Sequence, residues 1–284
     1  MKAYLKELII TIASILFLSI AIVAYFKAVS REKENSRPDA IYTLVPGNVR
    51  TLVAVNRPLV FSDMMKHALL RRVFETEMPE LYLTLVDAIP QSTLIVFSFH
   101  PQGVVCYVQA GAKTTGSIIN TLLPERFKPY TPHKQTRNEV DFYYYPDTDG
   151  RFFGYYVNNG VWAGSYSRKL LEQSAGQHQA VELSLPDGMN RLRMSSNANE
   201  PVNIVFRAIE LGVSDDDGYL SADLYMSSGN IYCRGSLATE SLDGIPSTGD
   251  MLKKRILNKY PYLRLEVRIE TEGEYIDYTA LMSR

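Results

Sequence analysis

The sequence predicts an α+β domain of antiparallel β-sheets with helices packed on one side, preceded by one transmembrane helix. Three observations support this prediction. An uncharged apolar run occupies residues 8–26, short apolar runs separated by turn residues dominate the rest of the chain, and a few amphipathic helical patterns interrupt them. Tyrosine is also abundant, with 19 residues against one tryptophan, which is typical of sheet-rich domains with half-buried surfaces.

Residues 8–26 are long enough to cross a bilayer as a helix. At about 1.5 Å per residue the run spans roughly the hydrocarbon thickness of a membrane, and Glu7 and Lys27 bound it with charge. A cleaved signal peptide is the alternative, but the apolar region of such a peptide usually has only about 7–15 residues. We therefore expect an N-terminal tail at residues 1–7 and a retained anchor that contacts the lipid bilayer.

Two opposing considerations decide the orientation of the anchor. More basic residues follow the run than precede it, which favours a cytoplasmic C-terminal domain by the positive-inside rule. A large domain behind a short tail, however, translocates largely regardless of its charge, and its tyrosine-rich strands are typical of extracytoplasmic bacterial proteins. We expect a single-pass cytoplasmic membrane protein with a juxtamembrane linker at residues 27–40 and an extracytoplasmic (periplasmic) domain at residues 41–284.

Strands and helices alternate in the first part of the domain. Ser62 is placed to cap a first helix, and Pro79 is placed to begin a second. A turn sequence at residues 100–103 joins two apolar strands into a hairpin, and Pro124 is expected to end a short helix that begins at Ile118. The strands in this part are predicted at residues 51–56, 93–99 and 104–110.

Three apolar runs between residues 140 and 166 carry the clearest strand signal. A loop at 146–150 separates the first two, and Asn159-Gly160 separates the last two, which is a strong hairpin signal. Ser167 is placed to cap the helix that follows, and Gly176 is placed to end it. The three strands are predicted at residues 140–145, 152–157 and 161–166.

The part of the chain from residue 202 is almost wholly β. Its predicted strands pair as hairpins across Ser228-Gly229 and Glu272-Gly273, and one helix is expected around residues 252–258. A polar stretch at residues 186–200 precedes this part, and the domain divides there if it consists of two sheet-plus-helix halves. The strands are predicted at residues 202–211, 219–226, 231–238, 262–270 and 275–282.

The leading apolar helix and three stretches of the domain resemble an uncharacterised group of bacterial single-pass membrane-anchored extracytoplasmic proteins. The stretches are IYTLVPGNVRTLVAVN, GVWAGSYSRKLLEQ and GYLSADLYMSSGNIYCRGSLA. The resemblance covers most of the C-terminal domain. It implies a location and an architecture, and it implies no activity for any residue.

Cys106 and Cys233 each lie inside an alternating apolar run. Two interpretations are open for them. They are either two buried structural thiols or one disulfide that joins distant parts of the domain, which an oxidising compartment would permit. Their spacing matches neither a metal site nor a CxxC redox pair.

No motif predicts catalysis, a cofactor or a metal. The four histidines lie too far apart to indicate a zinc site, and the Asp-rich stretches at 147–150 and 215–218 are predicted to be turns rather than calcium loops. The formal net charge is −1, without the concentrated basic surface of a nucleic-acid-binding protein. We therefore expect neither an enzymatic activity nor a nucleic-acid partner.

Aromatic residues crowd the two strands between residues 142 and 156. Tyr143, Tyr145, Phe153 and Tyr155 are expected to share one face, because side chains alternate along a strand. If that face is uncovered, the four rings form an aromatic platform that binds a peptide, a glycan or a protein. The alternative is a sheet that helices bury on both faces.

These observations predict a membrane-anchored extracytoplasmic interaction module or accessory subunit. Its partner is expected to be another protein of the bacterial cell envelope. The alternative is a cell-envelope enzyme or ligand receptor whose site is built from residues distant in sequence. A concave pocket with convergent polar groups would favour that alternative.

Overall fold

The computed structural model describes most of the domain and little of what precedes it. The predicted tail, the transmembrane helix at 8–26 and nearly all of the linker lie outside the described residues. Within the described part of the chain, no helix has both the length and the apolar character needed to cross a membrane. Residues 41–284 form one compact unit. The described residues are 39–89, 94–109, 116–177, 185–211, 218–238, 253–254, 257–258, 265–272 and 275–282.

One antiparallel sheet organises this unit. Its strands are β1 (Thr51–Val55), β2 (Leu94–His100), β3 (Gly103–Gln109), β4 (His133–Arg137), β5 (Val140–Pro146), β6 (Phe152–Asn158), β7 (Val161–Ser165), β8 (Val202–Arg207), β9 (Tyr219–Ser227), β10 (Asn230–Ala238), β11 (Leu265–Glu272) and β12 (Tyr275–Met282). Among the described residues these strands follow the order β11-β12-β10-β9-β8-β1-β2-β3-β7-β6-β5-β4. The first strand of the domain therefore lies in the middle, between β2 and β8.

Helices cover both faces of the sheet. On one face, helices α2 to α5 contribute to a core that we call the α4-side core. On the other face, α1, α6 and α7 contribute to the α6-side core. The helices are α1 (Asp39–Tyr42), α2 (Pro58–Met64), α3 (Ala68–Glu77), α4 (Glu80–Ala88), α5 (Leu123–Arg126), α6 (Arg168–Gln177) and α7 (Asp187–Ser195), with a π-helical turn at Ile118–Leu122 and a 3-10 turn at Ala208–Leu211.

The alternation of side chains along β1 explains the two cores. Val53 and Val55 lie in the α4-side core, whereas Leu52 and Ala54 lie in the α6-side core. The predicted α+β class and antiparallel pairing are confirmed. The prediction that helices pack on one side only is wrong, because strands that are apolar at nearly every position need cover on both faces.

Within the described residues, three hairpins close with a two-residue turn whose central residues both have positive φ. The turns are Asn138-Glu139, Asn159-Gly160 and Ser228-Gly229, and this geometry matches the twist of the flanking strands. The second and third turns were predicted. The first was not, since the polar sequence of β4 lacks the apolar alternation that indicates a strand.

Helix boundaries show what proline and serine do in context. Pro58 occupies the first turn of α2, which suits its fixed φ, and the predicted cap Ser62 lies inside that helix instead. Pro124 does not end a helix, because it too lies in a first turn, that of α5. Ser167 caps α6 as predicted, its hydroxyl accepting a hydrogen bond from the Leu170 N–H at 3.4 Å.

The polar stretch at 186–200 contains helix α7, which the sequence pattern does not predict. Its sequence is DGMNRLRMS, in which Met189 and Leu192 are the buried residues. Two apolar contacts on one face are too few to give a helical period that stands out. Most of the helix expected around residues 252–258 lies outside the described residues, and the division into two halves stays a prediction.

Candidate functional site

The four rings of the predicted aromatic platform do share one face of the sheet. Tyr143 is paired with Tyr155, and Tyr145 is paired with Phe153, across β5 and β6. That face is not open, however, since Tyr145, Phe153 and Tyr155 are only 1%, 0% and 2% exposed. The prediction of an exposed platform is therefore wrong, and these rings belong to the α4-side core.

Phe127, which directly follows α5, covers this aromatic group. Its ring stacks on Tyr145 and Phe153, with centroids 4.9 and 5.7 Å apart. Burial raises the pKa of the Tyr155 hydroxyl, as expected for a phenol whose charged form is excluded from a core. Tyr143 alone is half-buried, with the Lys134 ammonium 5.9 Å from its centroid.

The two cysteines do not form a disulfide. Cys106 lies on β3 and Cys233 on β10, and four strands separate them in the sheet. At about 4.8 Å per strand spacing, the two positions are roughly 24 Å apart, whereas a disulfide needs Cα atoms within about 7 Å. The disulfide interpretation is therefore wrong, and Cys106 is a buried thiol whose pKa burial raises.

A cleft of about 290 Å³ opens between α6 and the β4–β5 hairpin. We call it the edge cleft, because β4 ends the sheet in the described part of the chain. Its floor is apolar where β5 and α6 face each other, and its rim is polar. The lining residues are Arg137, Asn138, Val140, Phe142, Glu172, Ala175 and Gly176.

Packing in the α6-side core positions the floor of the edge cleft. Phe142 and Ala175 are buried members of that core, and Val140 packs against it. A side chain at Gly176 would meet no atom within 4 Å, so that glycine leaves one end of the cleft open. The cleft is therefore a shallow extension of the core toward solvent at the edge of the sheet.

Two guanidinium groups share one carboxylate on the rim of the cleft. Glu172 Oε1 lies 2.9 Å from Arg137 Nη1 and 2.7 Å from Arg168 Nε. The Arg168 guanidinium also donates a hydrogen bond to Gln135 Oε1 at 3.0 Å. Exposed ion pairs contribute little to stability, and these three side chains together carry one positive charge in excess.

The turn at the mouth of the cleft places a residue other than glycine in an unfavourable conformation. Glu139 has φ of 65° and Asn138 has φ of 46°. Asparagine tolerates the left-handed region, whereas most L-residues lose about 1–2 kcal/mol there. Strain of this kind concentrates at functional sites, and here it occurs beside a residue that lines the edge cleft.

Replacing Glu139 with glycine is expected to raise the free energy of unfolding by about 0.5–1 kcal/mol. Glycine removes the steric cost of the left-handed conformation and gives back part of that gain through its greater freedom in the unfolded chain. Urea unfolding of the full-length chain measures the change. Gly229→Ala is the matched reverse, because Gly229 has φ of 77° and open space around it. The explanation fails if both variants shift the midpoint in the same direction.

The Asp-rich loop after β5 closes on itself. The Asp149 carboxylate accepts a hydrogen bond from the Arg151 N–H at 3.0 Å and binds the Arg151 guanidinium, which lowers the pKa of Asp149. Asp147 Oδ2 accepts a hydrogen bond from the Tyr166 hydroxyl at 2.9 Å. In the described residues, no group of three His, Cys, Asp or Glu side chains is placed to hold a metal ion, and residues 215–217 lie outside the description.

His100 is a buried histidine at the β2–β3 turn. Its Nδ1 lies 2.8 Å from Asn48 Oδ1, and its Nε2 lies 2.8 Å from Ser98 Oγ. Burial lowers the pKa of His100 to about 4, because the charged imidazolium loses its hydration. The ring is therefore neutral near pH 7 and ties a loop to the sheet.

Asp223 is also a partly buried ionisable group with hydrogen-bonded neighbours. Its Oδ1 accepts a hydrogen bond from Asn203 Nδ2 at 2.6 Å, and its Oδ2 accepts one from the Asn197 N–H at 3.1 Å. Burial raises the pKa of Asp223. Asn203 also donates to the Asn197 carbonyl at 3.1 Å, so this cluster fastens the segment after α7 to β8 and β9.

Comparisons with known proteins find similarity among solved structures only. No protein-family model matches the chain, and no curated protein matches it. Crystal form I of TP0453 matches with a TM-score of 0.47 and 11% identity over 84% of this chain and 92% of that chain. Crystal form III of TP0453 matches with a TM-score of 0.48 and 12% identity over 85% of this chain and 93% of that chain. Likeness at this level says nothing about function.

The residues of the edge cleft were absent from the sequence predictions. Arg168 and Glu172 are four apart on α6, a spacing that indicates a surface ion pair in any helix. Arg137 joins them only because β4 pairs with β5 and places it beside α6. A hairpin at Asn138-Glu139 was not predicted from the sequence, and such a prediction would have placed these three residues together.

Proposed function

We propose that this chain is a membrane-anchored extracytoplasmic interaction module, or an accessory subunit, that binds another protein of the cell envelope. The apolar run at residues 8–26 supports the anchor. One observation carries the binding role: an amphipathic cleft lies directly beside β4, the strand that ends the sheet among the described residues. Sheet edges are ready-made sites for an added segment of another chain.

The alternative is an envelope enzyme or ligand receptor. The volume of the edge cleft, about 290 Å³, is just below the usual range of small-molecule pockets, about 300–1,000 Å³. The charged residues on its rim, Arg137, Arg168 and Glu172, form ion pairs with one another at hydrogen-bonding distance. None of these three has the neighbours of an activated acid, base or nucleophile. The binding role for a protein is therefore the better supported of the two.

Photo-crosslinking in living cells tests the proposed binding role. A photo-crosslinking amino acid at Gly176 would project from the edge cleft into open space. We expect it to give one discrete adduct with an envelope protein in the full-length chain. The same amino acid at the exposed Thr76 on α3 is the control and should give none. Adducts at both positions, or at neither, would contradict a specific partner at this cleft.

The orientation has its own test. An alkaline phosphatase fused to the C-terminus of the full-length chain should be active, because that reporter matures only outside the cytoplasm. An inactive phosphatase, together with an active cytoplasmic reporter at the same position, would place the domain on the other side of the membrane. That result would retain the cleft as a binding site and change the class of its partner.

A further inference from the structure

Strand β4 has one described neighbour in the sheet, β5, and its other edge is unpaired in the described part of the chain. It pairs with β5 through five residue pairs, and four of its five side chains are exposed. Within the described ranges no strand or helix lies against its outer edge. An exposed edge of this length presents a row of backbone N–H and C=O groups that another strand can use.

The hairpin turn decides which backbone groups face outward. Arg137 and Val140 flank the two-residue turn and so form a hydrogen-bonded pair, and such pairs alternate along an antiparallel ladder. Gln135 and His133 therefore face β5. The N–H and C=O groups of Lys134 and Thr136 point away from the sheet.

The β6–β7 hairpin gives the same alternation independently. Asn158 and Val161 flank its two-residue turn, so Tyr156 directs its backbone groups to β7 and Tyr155 directs them to β5. Tyr155 is paired with Tyr143, which leaves Phe142 to face β4. Phe142 is the partner of Gln135, in agreement with the assignment from the β4–β5 turn.

Charge distinguishes the partners that this edge accepts. Lys134 and Arg137 lie on β4, and the Arg168 guanidinium faces that strand from α6. The facing carboxylates are Asp141, which binds Lys134 at 2.6 Å, and Glu172. Strand β4 itself, HKQTR, carries two basic residues and no acidic one. A second copy of β4 would therefore bring like charges together, whereas an acidic strand would pair with β4 favourably.

We propose that β4 accepts an extended acidic segment of the partner protein as an added strand. The side chains on the face of the added strand that is turned toward α6 then lie beside Arg137 and the edge cleft. This inference rests on the proposed function and names the chemistry of the partner. Backbone hydrogen bonds to Lys134 and Thr136 supply the register. An acidic side chain next to Arg137 and Arg168 supplies the selectivity, and an apolar one enters the cleft.

Peptide binding to the full-length chain tests this inference. The probe is a fluorescent peptide of alternating glutamate and valine, and its control alternates lysine and valine; anisotropy measures both. Thr136→Pro removes an outward N–H without breaking a hydrogen bond to β5. Edge strands tolerate proline at positions whose N–H points outward. We expect it to bind the acidic peptide about tenfold more weakly, as expected for one or two lost hydrogen bonds. Thr136→Val keeps the N–H and should bind as the original chain does.

Three outcomes would overturn the inference. They are equal affinity for the acidic and the basic peptide, unchanged affinity in Thr136→Pro, and an equal loss in Thr136→Val. If Thr136→Pro fails to fold, Lys134→Pro is used in its place, because it removes the other outward N–H. Lys134→Gln is then the control, since it removes the charge and keeps the N–H. Loss of strand addition while the Gly176 crosslink persists would refute this inference and leave the proposed function standing, whereas loss of both would refute the two together.

Discussion

Replacing Gly164 with alanine is expected to lower the free energy of unfolding by about 3 kcal/mol, at the upper end of the cost of overpacking a core. A Cβ at this position would lie 2.7 Å from Cζ of Phe153 and would contact the ring of Trp162 more closely still. Both rings are fully buried and stack on each other at 6.2 Å. Neither ring can withdraw, because Phe127 and Tyr155 hold them from the other sides.

Urea unfolding of the full-length chain, followed by the fluorescence of the single tryptophan, measures this loss. Gly176→Ala is the matched control, because a Cβ there meets nothing within 4 Å and the residue lies in α6. Alanine in a helix should raise stability by about 0.5–1 kcal/mol. A Gly164→Ala variant as stable as the original chain would show that the aromatic core is looser than its distances indicate.

Acidification from pH 7 to pH 4 is expected to destabilise the chain through His100 by about 2 kcal/mol, because solvent that reaches the ring reduces the full effect of its lowered pKa. The pKa of His100 is about 4 in the folded chain, whereas an exposed histidine, as in the unfolded chain, has a pKa of 6.5. Well above pH 6.5 the ring is neutral in both the folded and the unfolded state, so its stabilising contribution is fully present. Below that pH the unfolded chain binds a proton that the folded chain does not, and the contribution is lost until pH 4.

The comparison with His100→Gln isolates this effect. Glutamine does not titrate, and both proteins share all other ionisable groups, so the difference between their pH profiles reports His100 alone. Urea midpoints of the full-length chain at pH 7 and pH 4.5 supply the measurement. The original chain should lose more stability than the variant over this interval. Parallel losses in the two proteins would mean that His100 is protonated without cost in the folded state.

Local sequence predicted the strands well wherever their residues are apolar. The runs that became β2, β3, β6 and β9 lie where they were expected, since alternating or continuous apolar residues leave few other structures open to them. Strand β4 is different. Its sequence HKQTR forms a strand because the adjacent turn and β5 hold it there, and that information is not in the five residues themselves.

Relations across the sheet were beyond what local sequence can indicate. Period-2 geometry correctly placed Tyr143, Tyr145, Phe153 and Tyr155 on one face, yet whether that face is open depends on Phe127, which enters from another segment. The distance between Cys106 and Cys233 depends in the same way on the order of the strands. The edge cleft also depends on the order of the strands. That order makes β4 the last strand in the described part of the chain and brings Arg137 beside α6.

The central position of β1 has a consequence for the newly synthesised chain. Its five residues leave the ribosome early and can pair with β2, but β8 begins only at Val202. At about 5–20 residues per second, β1 waits on the order of ten seconds with one edge unpaired and almost wholly apolar. During that interval the strand that later lies at the centre of the sheet presents an apolar edge to which another chain could add.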